Sequence, residues 1–385
     1  MLSGIRVIDL GSFITAPLAA MMLGDLGADV IKVERPEGDP FRKSHGGHYG
    51  ATFLAFNRNK RGIVLDTAVP EDRERLLALV ASADVLVDNF RPGVLAKIGL
   101  EPRALTARCP RLIHCSITGF GDTGPYRTRP AFDHVGQALS GITSLLVDPA
   151  QPEAFGPTLS DNATAMYAAY GVLGALVERQ TTGKGRRLEV NMLESSMAFI
   201  QDIYMGLTRT GQTSGKYTRI TRSQAFVLTC ADEKMLAIHL STTEKFWGEL
   251  IAALQEPALA ADPRFATHQA RVKHYHELAA ALQKRFQTAK RGAWMALLDG
   301  TDVPFSPVNT VADALADPQV AALGTLARMV HPKEGEVTGI ACPVLADGIR
   351  PLQAMRAPPL IGEHTAEIRA EIDALANTRK SAKPS

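Results

Sequence analysis

Cysteine is scarce in this chain of 385 residues: Cys109, Cys115, Cys230 and Cys342 are its four. None belongs to a C-x-x-C pair and no two stand at zinc-ligand spacing, which excludes a small disulfide scaffold and a cysteine-held zinc. They read as thiols in a reducing compartment, so a cytoplasmic location is expected. A charge excess is also missing. Lys plus Arg numbers 42 against 40 for Asp plus Glu, a formal net charge of +2. That balance provides no general field for nucleic acid, and any basic site has to be local. No apolar run reaches the ~18 residues that span a bilayer. Neither nucleic acid nor membrane is therefore expected as a partner. The opening Met1-Leu2-Ser3-Gly4-Ile5 has no basic segment ahead of an apolar one, so no signal peptide is expected. Internal repeats are absent, and the polar stretch Asn377–Ser385 is the one candidate for low complexity.

What is present is an ordinary globular composition, 45% hydrophobic and 21% charged, at a length that suggests two domains or three. Ile5–Leu10 is a short β-branched run, Pro17–Leu26 has helical spacing, and Asp29–Glu34 is a second strand. This is a βαβ unit, which implies parallel strands. Strands at Gly62–Asp66, Asp84–Asn89 and Leu112–Ile117, with a helix at Pro70–Ser82, extend the alternation to a doubly wound α/β domain. A long Ala- and Gly-rich helix at Asp161–Arg179, with small residues that allow close approach to neighbouring backbone, ends at Gly183-Lys184-Gly185. A strand at Arg187–Asn191 and a helix at Glu194–Met205 follow. Residues 1–205 are assigned to a large Rossmann-like domain, 206–221 to a linker, 222–325 to a small α+β domain and 326–385 to a return into the large one. In the small domain, strands are expected at Ala225–Cys230 and Met235–His239. Ser241-x-x-Glu244 matches a capping box opening an amphipathic helix, and helices are expected near Gln269–Phe286 and Ala293–Leu298. The last helix is expected near Thr365–Ala376.

Several motifs fail on inspection. Gly119-Phe120-Gly121-Asp122-Thr123-Gly124 fits G-x-G-x-x-G, yet Pro125 and Pro130 follow where a dinucleotide site needs a helix to begin. No strand ending in an acid stands ~20 residues on. A nicotinamide cofactor is not expected, although the loop can still border a site. Gly183-Lys184-Gly185 lacks the Ser or Thr and the earlier Gly of a P-loop, and there is no G-x-S-x-G and no H-E-x-x-H. The histidines do not cluster at ligand spacing, so no metal is expected.

Two features hold. Arg35, Arg42, Lys43, Arg58, Lys60, Arg61, Arg91 and Lys97 lie at strand ends and in loops of the first half. In an open parallel sheet the ligand crevice lies beyond the carboxyl ends of the strands, and cations converging there suit a polyphosphate. Singly, each reads more simply as a solvated loop charge. Asp161 begins a helix. From position alone it is more simply an N-cap, a role Ser160 could fill equally well. It could also be a carboxylate nucleophile.

Taken together, the blocks Gly4–Leu10 (GIRVIDL), Ala16-Pro17, Asp25–Pro36 (DLGADVIKVERP), Asn57–Arg61 (NRNKR) with Leu65-Asp66, Asn89–Gly93 (NFRPG) with Ile98–Leu100, Gly119–Pro125 with Phe132-Asp133 and Gln137, Thr182–Gly185 (TGKG) and Pro358–Thr365 (PPLIGEHT) resemble the class III CoA-transferase family. That family also contains α-methylacyl-CoA racemases. The resemblance runs from residue 4 to residue 365. It implies a Rossmann-like large domain built from both chain ends, a smaller inserted domain, and two ring-like chains interlocked as a homodimer.

The resemblance also implies chemistry. Asp161 matches the family's nucleophilic aspartate, whose carboxylate attacks an acyl-CoA thioester to form an acyl–aspartyl anhydride and then an aspartyl-CoA thioester. Coenzyme A takes part as the substrate thioester, with an acyl-CoA donor and a small carboxylic acid acceptor as partners. Arg35 and Lys97 match family CoA-contacting residues, Arg91 lies in the same block, Asp133 matches an acidic position near the site, and Gly119 and Gly121 belong to the loop bordering the acyl-CoA. Racemases pair the aspartate with a histidine at the position occupied here by Phe132, with His134 two places late, so transfer is expected over racemisation; a non-catalytic CoA-binding scaffold is the third reading. Ile14 replaces a glutamine of formyl-CoA transferases, and no long glycine loop is present in the small domain. The resemblance therefore suggests succinyl-CoA as donor and a small mono- or dicarboxylic acid other than formate or oxalate as acceptor.

Overall fold

The computed structural model describes residues 1–43, 49–241, 244–352 and 354–381; His45 and His48 lie outside them. The chain divides into two compact units. One joins Met1–Thr143, Phe155–Gln201 and Leu323–Ser385, and the other joins Ser144–Ala154 to Asp202–Ala322.

The first unit is built on six strands: β1 (Arg6–Asp9), β2 (Asp29–Glu34), β3 (Lys60–Val64), β4 (Val85–Asp88), β5 (Ile113–Thr118) and β6 (Arg187–Asn191). Their order is β3-β2-β1-β4-β5-β6 and every pairing is parallel, as the βα alternation predicts. The helices of this unit are α1 (Thr15–Asp25), α2 (Ala51–Phe56), α3 (Pro70–Ala81), α4 (Val94–Lys97), α5 (Pro102–Arg108), α6 (Asp133–Leu139), α7 (Ser160–Thr182) and α8 (Met192–Phe199), followed by the C-terminal helix Thr365–Ser381. Both sheet faces are covered. Val7, Val30, Val85, Val87 and Ile113 pack with α1 and α7, while Ile8, Ile31, Ile63 and Leu86 pack with α3 and with Ile368 and Ile372 of the C-terminal helix. Neighbouring strand residues thus feed opposite layers, as a period of two requires. Small residues on both helices, Ala16, Ala19 and Ala20 of α1 with Ala165, Ala168 and Ala175 of α7, share one core and allow the two backbones to approach.

The chain's end is fastened to its beginning by charge. Arg61 Nη1 reaches Glu367 at 2.7 Å and Glu371 at 2.6 Å, and Arg6 Nη2 reaches Glu371 at 2.7 Å. The backbone N–H of Gly62 donates to His364 Nδ1. Pro358–Thr365 therefore lies against the β3 block it accompanies in the sequence pattern.

Strand β1 has β2 on one side and β4 on the other. The chain leaves these two neighbours in opposite directions, which opens a crevice beyond the carboxyl ends of β1 and β4.

Some elements differ from expectation. β3 starts at Lys60 and not at Gly62, because the charges that read as loop are buried: Lys60 Nζ bonds Asp9 Oδ2, Asn57 Oδ1 and the carbonyl of Pro17, each at 2.8 Å. The expected helix Glu194–Met205 is two, α8 and Gln201–Thr210, parted at Ile200. Helix Gln201–Thr210 and helix Thr218–Ser223 enter the 206–221 stretch from its two sides. The antiparallel hairpin of Leu326–His331 and Gly335–Ile340 was not anticipated; its alternation is interrupted by charged and small residues.

The second unit carries a three-stranded antiparallel sheet, β7 (Ala225–Thr229), β8 (Met235–His239) and β9 (Phe305–Pro307). Helix Glu244–Leu254 carries the expected amphipathic stretch, while the expected capping box Ser241-x-x-Glu244 runs through 242 and 243, which lie outside the described residues. The expected Gln269–Phe286 helix is divided at His274. Trp247, Leu250, Leu254, Leu278, Leu282, Phe286 and Trp294 form its core with Phe226, Leu236 and Ile238. Among the described residues no helix is long and apolar enough to cross a membrane.

Candidate active site

Two loops meet at the crevice. The one leaving β1 runs through Phe13, whose φ of +64° lies in the left-handed region that a bulky residue seldom adopts. The one leaving β4 begins at Asn89, which locks the pair together. Asn89 Nδ2 donates to the carbonyl of Ser12 at 2.7 Å and to Thr15 Oγ1 at 3.0 Å, and its Oδ1 accepts from the N–H of Ser12 at 3.0 Å. Two cavities open around this lock. The larger, about 800 Å³, is lined by Lys32, Arg35, Asp39 and Asp66 among others. The smaller, about 200 Å³, contains Ile14, Thr118, Gly119, Phe132, Met192 and Asp161. Phe13, Asn89, Phe90 and Arg91 line both.

Asp161 stands in the first turn of α7, and its side chain caps nothing. It is 8% exposed. Among the described residues its carboxylate receives no hydrogen bond and no ion pair. The N–H of Asp161 donates to Asp133 Oδ1 at 3.1 Å, and Gln137 Nε2 donates to Asp133 Oδ2. A second buried carboxylate is thereby held next to the first. Burial pushes the Asp161 carboxyl up to about 7, and the negative charge of Asp133 adds to the rise. The turn itself is close-packed: Ser160 Oγ bonds Ser196 Oγ at 2.7 Å, and Gly136 of α6 lies so near that a Cβ there would come within 2.3 Å of Ser160 Oγ.

The structure brings Asp161, Gly119 and Arg91 to one cavity and Arg35 with Arg91 to the other. Asp133 lies behind Asp161, touching its backbone. Gly119 packs on Ala131, where a Cβ would fall 2.4 Å from the Ala131 Cβ, so the loop can pass only with glycine there. Gly121 takes φ +87° and its N–H donates to Thr118 Oγ1, which tightens the loop; no helix follows before Asp133. Lys97 ends α4 exposed and lines neither cavity.

The group of eight cations needs correction. Arg42 forks onto Glu34 with Nε–Oε2 at 2.7 Å and Nη2–Oε1 at 2.5 Å. Arg58 forks onto Asp25, Arg61 onto Asp29, and Lys60 binds Asp9. These four are buried and neutralised, because a charge taken out of water must find a counter-charge. Arg35, Arg91 and Lys97 form no ion pair among the described residues and stay available to a ligand.

Phe132 faces the Asp161 cavity, while His134 Nε2 meets the carbonyl of Phe155 at 2.7 Å and is absent from the lining. Sequence reasoning did not single out Phe13, Arg127, Arg129 and Met192 of the lining. They come from three separate places, the loop after β1, the loop after β5 and the start of α8, and their only sequence signal was proximity to the Gly-rich loop and the strand ends. Among the described residues no group of three or more His, Cys, Asp or Glu could hold a metal ion. The arrangement is an unpaired buried carboxylate in a small cavity rimmed by arginines, beside a larger cavity with room for an extended ligand.

A family model described as CoA-transferase family III matches residues 2–365. The succinate–glutarate CoA-transferase of Agrobacterium fabrum is 33% identical over 98% of this chain and 97% of its own length. The human succinyl-CoA:glutarate CoA-transferase is 31% identical over 96% of this chain and 86% of its own. Among solved structures, a CAIB/BAIF family protein from Brucella suis superposes with a TM-score of 0.85 at 35% identity, covering 96% of this chain and 99% of that one.

Proposed function

We propose, since the chain belongs to CoA-transferase family III and CoA transfer is the activity of its named relatives, that Asp161 is the group on which coenzyme A and the acyl chain are exchanged. The observation that carries the reading is the unpaired, buried Asp161 carboxylate at the wall of a cavity joined to the strand-end crevice.

In the first step an Asp161 oxygen attacks the thioester carbon of the donor. The C–S bond breaks, leaving an acyl–aspartyl anhydride and CoA thiolate. The thiolate then attacks the Asp161 carbonyl, expelling the donor acid as carboxylate and leaving aspartyl-CoA thioester. The acceptor carboxylate attacks that thioester to form a second mixed anhydride and thiolate. Attack of the thiolate on the acceptor's carbonyl releases the new acyl-CoA and restores Asp161. A carboxylate suits this relay because its acylated forms are activated in both directions. A carboxyl poised near neutrality is more basic, hence more nucleophilic, than an ordinary aspartate, and filling of the small cavity by the acyl-CoA would limit hydrolysis of the anhydride.

In this reading Arg35, Arg91 and Lys97 meet the phosphates of coenzyme A, Gly119 and Gly121 border the thioester, and Asp133 positions the first turn of α7. Succinyl-CoA is the proposed donor and a small carboxylic acid the acceptor, as the relatives' names support. The chain works as a homodimer of interlocked protomers, each with a Rossmann-like domain from both chain ends and an inserted smaller one. No observation favours racemisation, since His134 is engaged with a backbone carbonyl outside the cavity.

Incubation with succinyl-CoA and hydroxylamine tests the proposal. A hydroxamate on Asp161, found by peptide mass spectrometry and absent from Asp161→Ala, is the expected result. Turnover without modification, or turnover retained by Asp161→Ala, overturns it.

A further inference from the structure

The cavity holding Asp161 has more positive charge than the reaction requires. Arg91, Arg127 and Arg129 line it, and Asp161 is the one acidic residue among its lining. None of the three arginines has an ion pair among the described residues. They differ in placement. Arg91 also lines the large cavity, which suits the phosphate-bearing ligand. Arg127 also faces a neighbouring cavity with Asp122 and Arg187. Arg129 borders the Asp161 cavity and neither of these others.

Arg129 is also the one whose guanidinium is held. Its Cζ lies 3.8 Å from the Tyr126 ring centroid, and Tyr126 meets Phe120 edge-on at 6.0 Å. A guanidinium stacked by its face on an aromatic ring keeps its N–H edge free and oriented, the edge that receives a carboxylate in a two-pronged fashion. The acyl end of a thioester made from a monocarboxylic acid is neutral and gives such an edge nothing to bind. A dicarboxylic acyl group ends in a carboxylate.

We infer that Arg129, stacked on Tyr126, receives the distal carboxylate of the acyl group, and that this chain selects dicarboxylic over monocarboxylic acyl chains. The inference rests on the proposed role of Asp161 for the location of the acyl chain, and it names a specificity residue and not a catalytic one. Arg127, on the same loop, stands next to this position as a second cation.

Binding separates it from the chemistry. Dissociation constants of glutaryl-CoA and pentanoyl-CoA, which differ by one terminal carboxylate, are measured by calorimetry for the wild type, Arg129→Met and Arg129→Lys. The wild type is expected to favour glutaryl-CoA by about 30-fold, as charge-assisted hydrogen bonds permit. Arg129→Met should bring the ratio close to one while leaving pentanoyl-CoA within about twofold, and Arg129→Lys should retain part of the preference. Arg129 is exposed, so these variants keep the fold. An equal loss for both ligands would make Arg129 a contact to coenzyme A and overturn the inference, as would a preference that survives in Arg129→Met. Hydroxylamine trapping on the same variants reports on Asp161 alone, so failure of the covalent mechanism and failure of this selectivity appear in different measurements.

Discussion

The backbone N–H of Asp161 is hydrogen-bonded to the carboxylate of Asp133 at 3.1 Å. One contact thereby does two things. It anchors the first turn of α7, and it holds a negative charge near a second buried carboxyl that has no cation of its own. Both effects bear on the Asp161 carboxyl, and they can be separated experimentally.

Burial, and then the charge of Asp133, push the Asp161 carboxyl up to about 7. In the proposed reaction the ionised form attacks the thioester, so kcat/KM should climb with pH through this value and level off above it. Asp133→Asn removes the like charge and keeps an oxygen able to accept the Asp161 N–H. The rising limb should then move toward lower pH. A pH–rate profile checks this, and an unmoved limb in Asp133→Asn would show that the charge of Asp133 is not felt.

Arg42 and Arg35 test the division between structural and ligand-binding cations. Arg42 lies buried on Glu34, with its guanidinium 3.8 Å over the Phe53 ring. Arg42→Met leaves a buried carboxylate unpaired and should cost about 3–5 kcal/mol in urea unfolding. Arg35→Met should leave the unfolding midpoint in place and raise the KM for acyl-CoA by roughly tenfold, the effect of losing one charged contact.

Gly136 sets the seat of the turn that carries Asp161. A methyl group there would meet Ser160 Oγ at 2.3 Å and Ser160 Cβ at 3.1 Å. Gly136→Ala should displace the start of α7 and lower kcat by about 100-fold, as small misplacements of reacting groups do. Adding Ser160→Ala removes the closest atom and should recover part of the loss. Steady-state kinetics on the two single variants and the double variant give the coupling, and purely additive losses would contradict the steric explanation.

Much of the fold was legible because its signals are local. β2 occupies the residues its β-branched run marks out, β6 the residues expected after Gly185, and α3 starts at its proline with acids in the first turn. Where local and distant forces compete, legibility fails. Lys60 and Arg61 read as loop because charges seldom enter a strand; Asp9, Asp29 and Glu371 reverse that by meeting them inside. The seven-residue α6 is too short for a helical period to show, yet it delivers Asp133 to the first turn of α7.

By itself the order of amino acids determined the alternation of strands and helices, the family pattern and the carboxylate at residue 161. All three depend on residue type and near-neighbour spacing, which a linear chain carries in full. Only the tertiary structure decided which charges are spent on the fold and which remain for a ligand. Arg42 and Arg129 are indistinguishable as letters. The first is neutralised by a buried glutamate and closed over by a chain segment more than 300 residues later, where Arg42 Nη1 bonds the carbonyl of Pro359. The second lies over an aromatic ring, has no ion pair among the described residues and lines a cavity. Burial and counter-charge are relations between groups in space, and folding creates those relations.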